Sequence, residues 1–108
     1  MPYCKSALQI KATSSVQEVL SAFAREQCNA NQAHPINDRH FNIDGGLNDL
    51  RAIRQDNESV YGFFCRYKRD LNRTEAKLQA FAENHDVECQ LLDVEDIRKQ
   101  RYSELNYD

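Results

Sequence analysis

No apolar run in this sequence approaches the length of a bilayer-spanning helix, and the opening letters MPYCKSALQ hold no apolar core of the secretory-signal kind. These absences argue against a spanning helix and against export, so the cytoplasm is the default expectation and no membrane partner is foreseen. Positive charge is also scarce. Fourteen Lys and Arg against seventeen Asp and Glu leave a net charge of −3. No global positive field therefore gathers nucleic acid or anionic lipid, and binding of either kind would need a local basic patch. Only three glycines are present and none builds a Gly-rich phosphate loop; internal repeats and low-complexity segments are missing too. The four cysteines, Cys4, Cys28, Cys65 and Cys89, stand far apart without a C-x-x-C pair. Reduced thiols buried as small hydrophobes are the expectation, not a disulfide framework.

What is present is an ordinary globular composition. The chain has 108 residues, 41% hydrophobic and 29% charged, which fits a single domain over residues 1–108 with a modest core. YCKSALQIKAT alternates, with Cys4, Leu8, Ile10 and Ala12 on one side, and predicts a half-buried strand. Ser15 with Glu18 three residues later has capping-box spacing, and Val16, Val19, Leu20, Phe23 and Ala24 continue at helical period, with Cys28 on the same face. DRHFNID reads as a short strand with Phe41 and Ile43 on one face. A second helix is expected from Leu47, through Leu50 and Ile53. SVYGFFCRYK is apolar on both faces, the mark of a strand inside a sheet. Asn72 and Glu75 suggest a cap for a helix carrying Leu78, Phe81, Ala82 and His85, while DVECQLLDV supplies another strand through Val87, Cys89 and Leu91. A last helix is expected from Asp93 and Asp96.

The strand, helix, strand order over residues 59–92 suits a parallel crossover. The expected fold is therefore α/β, a small three- or four-stranded, mostly parallel sheet flanked by helices. The alternative is an α+β sandwich with a mixed sheet, favoured if RHFNI pairs antiparallel with an edge.

Functional signal concentrates in QCNANQAHPINDRHFNIDGG, residues 27–46. If residues 38–44 are extended, Asp38, His40, Asn42 and Asp44 point one way. His34, Asp38, His40 and Asp44 are then candidate ligands for a divalent metal such as zinc or manganese, and a metal-bound water would give hydrolase-type chemistry. The plainer account is an edge strand anchored by Phe41 and Ile43 with its polar side toward water, and the ligand spacing matches no strong metal signature. A calcium loop fails on the letters, because aligning Gly45 to the invariant glycine puts His40 and Arg51 where carboxylates belong.

Arg66, Lys68, Arg69 and Arg73 follow an aromatic strand, and basic plus aromatic side chains can hold phosphates and stack bases. Asp70 interrupts them, and a charged strand end leading into a capped helix explains them equally well. Thiol catalysis would need histidine beside cysteine, yet Cys28 and Cys89 fall on core faces. His85, closing an apolar helix face, fits a packed ring or a cation at a helix C-terminus. With no cofactor demanded, the leading expectation is a non-enzymatic protein-interaction module, an adaptor or inhibitor that binds a protein partner or itself as a homodimer. Uncovered sheet edges and tyrosines such as Tyr3, Tyr102 and Tyr107 would supply its contacts.

Overall fold

A computed structural model describes residues 3–44, 50–55, 59–65 and 67–93, with only the backbone of Asp44 and Asp93. The alternating YCKSALQI forms strand β1 (Tyr3–Ile10), with a shift of register between Cys4 and Ser6. The extra residue moves Cys4 to the face opposite Leu8 and Ile10, where it joins Ala7, Ile53 and Phe64 in a second apolar cluster. The expectation that Cys4, Leu8, Ile10 and Ala12 share one side is corrected on that ground. Ala12 lies beyond the strand and is exposed.

Helix α1 (Val16–Gln27) starts where its letters say it should: the Glu18 N–H donates to Ser15 Oγ at 3.4 Å. Two short strands follow, β2 (His34–Pro35) and β3 (His40–Asp44), then β4 (Leu50–Arg54) and β5 (Val60–Cys65). The expected second helix is replaced by β4, so far as the described residues reach. Leu50 and Ile53 have helical spacing, but in LRAIR they lie on opposite faces of a strand and enter different clusters. A 3-10 turn over Lys68–Asp70 leads into α2 (Leu71–Asn84), and β6 (Cys89–Asp93) ends the described chain. Asn72 does not cap α2; it sits in the first turn, and its Oδ1 accepts from Lys5 Nζ at 3.3 Å. Val87 lies in the turn before β6 and is exposed. The helix expected after Asp93 falls outside the described residues.

All six strands form one sheet in the order β2-β3-β4-β5-β1-β6, with every described pairing antiparallel. This overturns the three- or four-stranded, mostly parallel sheet, and the mixed sheet of the alternative as well. The physical reason lies in β1. Strands β5 and β6 run the same way, as a crossover through α2 requires, but β1 inserts between them and opposes both. A crossover pattern fixes the relative direction of two strands and leaves open whether another strand separates them.

Residues of α1 and α2 join one cluster with the sheet face that carries Leu8, Ile10, Phe41, Ile43, Leu50 and Phe63. Phe23 is its hub, packed edge-on against Phe63 of β5 at 5.2 Å and Phe81 of α2 at 5.4 Å between ring centroids. Strand β5, sandwiched between β4 and β1, buries Tyr61 through Cys65, as its two-sided apolar pattern indicates. No helix among the described residues is long and apolar enough to cross a membrane.

Candidate functional site

The polar run that opens at Gln27 is tied down by its own backbone. Asn29 takes a left-handed φ of 52°, a conformation its short polar side chain tolerates, and the Ala30 N–H turns back to the Ala24 carbonyl at 3.0 Å. Ala33, fully buried, donates its N–H to Ser21 Oγ at 3.0 Å, and its carbonyl accepts from Gln17 Nε2 at 2.7 Å. Two polar side chains of α1 thus hold the segment that delivers His34 to the sheet.

His34 pairs with Asn42, so His34, His40 and Asn42 lie on one face, with the two histidines in diagonal positions on neighbouring strands. Their surroundings differ. His34 is exposed, whereas His40 is 2% exposed and its Nε2 lies 3.4 Å from Arg51 Nη1. A guanidinium at that distance opposes a second cation on the same ring nitrogen. Asp38 is exposed in the tight connection between β2 and β3, where Asn37 Oδ1 accepts the Arg39 N–H at 2.9 Å. Asp44 pairs with Leu50 through its backbone, and its side chain lies outside the described residues. Among the described residues no three His, Cys, Asp or Glu side chains form a group able to hold a metal ion.

Of the basic segment, Arg66 lies outside the described residues. Lys68 and Arg69 are exposed on the 3-10 turn, Arg69 stacks 4.7 Å over the ring of the exposed Tyr67, and Arg73 Nη1 stands 3.9 Å from Asp70 Oδ1. The structure does bring Lys68, Arg69 and Arg73 to the start of α2. Asp70 and Tyr67 are their immediate company, so the turn absorbs part of the basic character locally.

None of the four thiols is in a disulfide, and they are set deep. Cys4, Cys65 and Cys89 are buried and Cys28 half-buried. Burial pushes Cys65 up to about 11, with Asp70 adding to the rise, and Cys89 likewise to about 11 by burial, then by Glu88 and Asp86. Neither supplies thiolate at neutral pH, so neither is an activated nucleophile. His85 packs on Phe81 with ring centroids 4.4 Å apart, its Nε2 lies 2.8 Å from Glu26 and its Nδ1 3.3 Å from Glu88. It clamps α1, α2 and the turn into β6.

That turn starts the feature that the letters do not reveal. Among the described residues β6 pairs on one side only, with β1. The Lys11 N–H donates to the Glu88 carbonyl at 3.0 Å, while the Ile10 N–H turns the other way, to the Ser59 carbonyl at 2.8 Å. Bonds alternate along an antiparallel ladder, so in the register Gln9↔Gln90 and Ala7↔Leu92 the bonding pairs use Gln90 and Leu92. The N–H and C=O of Leu91 consequently point away from the sheet. Beside them, between β6 and α2, opens a pocket of about 520 Å³ walled by Ala82, Cys89 and Leu91 and edged by Glu83, Asp86 and Lys11. Periodicity marks DVECQLLDV as a strand but carries nothing about which strand ends the sheet. Comparison with protein families, with curated proteins and with solved structures finds no match to this chain.

Proposed function

We propose that this chain is a small non-enzymatic protein-interaction module that binds through the open edge of β6, taking up a strand of a protein partner or of a second copy of itself. The observation that carries this reading is the outward N–H and C=O of Leu91 on a strand that, among the described residues, is paired on one side. Backbone groups so placed are a template for an added strand, and natural edges not used this way are blunted with lysine, proline or a bulge. The five-residue CQLLD carries no lysine or proline and pairs with β1 without a bulge, its one charged residue being the terminal Asp93. The raised Cys65 and Cys89 thiols weigh against covalent thiol chemistry. Four cysteines without a disulfide between them suit a reducing compartment such as the cytoplasm.

The test uses two substitutions at one position. Leu91→Pro removes the outward donor without removing a bond to β1, while Leu91→Ala loses a similar side chain and keeps the donor. Light scattering on the purified chain and capture from host extract should both register an assembly that Leu91→Ala preserves and Leu91→Pro loses, with both variants folded by circular dichroism. A wild-type monomer that captures nothing, or an assembly indifferent to Leu91→Pro, defeats the reading.

A further inference from the structure

We infer that the pocket between β6 and α2 selects an extended peptide carrying lysine or arginine, an inference that rests on the strand-adding role proposed for β6 and names its partner's chemistry. Two independent features meet at this place. The first is the outward-facing backbone of Leu91. An antiparallel strand added there exchanges both backbone bonds with Leu91, and the residues facing Leu91 and Cys89 send their side chains to the same sheet face as those two. That is the face on which α2 packs, and the pocket of about 520 Å³ opens on it. A strand bound at the edge therefore presents one or two side chains to this pocket.

The second feature is the chemistry of the lining. Ala82, Cys89 and Leu91 give an apolar floor suited to a run of methylenes, and Glu83 and Asp86 stand exposed at its margin. Neither carboxylate makes an ion pair among the described residues. Two carboxylates against the single ammonium of Lys11 leave the lining with an excess of negative charge. A long side chain with an aliphatic stem and a cationic head matches both parts, stem on the floor and head at the rim. A glutamate at the same peptide position would bring a third carboxylate to the rim, and a leucine would fill the floor without answering the charge. The edge supplies sequence-independent affinity, and the pocket supplies the choice of side chain.

The experiment measures binding of fluorescein-labelled, amidated pentapeptides Thr-Val-Xaa-Val-Thr, with Xaa lysine, arginine, leucine or glutamate, by fluorescence polarisation against the full chain. The lysine and arginine peptides should bind about tenfold more tightly than the glutamate peptide, the size expected for two partly exposed charge pairs. The preference should collapse at high salt and in the double variant Glu83→Gln with Asp86→Asn, which should still bind the leucine peptide unchanged. All binding should be lost in Leu91→Pro. Equal affinity for the glutamate and lysine peptides, with loss in Leu91→Pro, overturns the cation-selective pocket and leaves the edge reading standing. The pocket alone is likewise overturned if no peptide binds while a partner captured from extract is released by Leu91→Pro. If no peptide binds and nothing captured depends on Leu91, both the pocket and the edge reading fall.

Discussion

His85 Nε2 lies 2.8 Å from Glu26 Oε2, joining the last turn of α1 to the C-terminal end of α2. The histidine side chain is 25% exposed and the glutamate 39%, so solvent screens the pair and its worth is modest. Glu26→Gln is expected to lower unfolding free energy by about 0.5 kcal/mol at low ionic strength, and by less as salt rises. Urea titrations of both proteins at two salt concentrations check it; an effect insensitive to salt would show that packing on Phe81, not charge, holds the ring.

Phe23 touches both Phe63 and Phe81 and is fully buried, so its removal opens a cavity where α1, α2 and the sheet meet. Phe23→Ala should cost about 3–5 kcal/mol, a large share of the stability of a domain this size. Equilibrium denaturation reads the loss directly. A cost below about 1 kcal/mol would mean that the helices do not depend on this contact.

The Ala33 amide gives its hydrogen to Ser21 Oγ in a buried setting. Ser21→Ala leaves that donor without its acceptor and should destabilise by about 1–3 kcal/mol, with faster hydrogen exchange at Ala33. Asn29 gives a complementary test of the same loop. At φ 52°, Asn29→Gly should be neutral or slightly stabilising, whereas Asn29→Ala should cost about 1 kcal/mol.

Cys65 and Cys89 ionise at about 11 in the folded chain against an ordinary value of 9.0. A group whose folded pKa is raised contributes stability that is complete below its unfolded pKa and lost as pH rises through the folded one. Between about pH 9 and 11 each thiol should therefore remove about 1.4 kcal/mol per pH unit, because the unfolded chain releases protons the native chain keeps. Comparing the pH dependence of the urea midpoint in wild type and Cys89→Ala isolates one thiol. Identical slopes in that window would show that the Cys89 thiol ionises as easily folded as unfolded.

Arg51 beside His40 sets a prediction for the metal reading of His34, Asp38, His40 and Asp44. Zinc or manganese should leave the melting temperature unchanged at stoichiometric concentration. A stoichiometric rise abolished by His40→Ala would instead establish a metal site there.

How far the letters reach can be judged residue by residue. Ser15 and Glu18 announce the start of α1 because a cap is a local match between a side chain and the next turn's amides. Phe41 with Ile43, and the doubly apolar VYGFFC, announce strands and their burial, since the period of a strand is local too. The assignment of Leu50 and Ile53 to a helix fails because three-residue spacing over five residues cannot separate one helical face from two strand faces. Cys4 changes face because one inserted residue in the pairing with β5, invisible in the strand's own alternation, flips every position before it.

The sequence by itself determined which segments are apolar, where α1 begins, that β5 is buried on both sides, and that the cysteines stand apart from one another. Tertiary structure alone decided that β1 lies between β5 and β6, that the sheet is antiparallel, that His40 is buried beside Arg51 while His34 is exposed, and that Leu91 turns its backbone outward next to Glu83 and Asp86. The division has one physical cause. Period, capping and burial are set by neighbours a few residues away, whereas strand order and edge position are set by pairings between residues far apart in the chain, and each pairing satisfies the same backbone groups whichever strand supplies it.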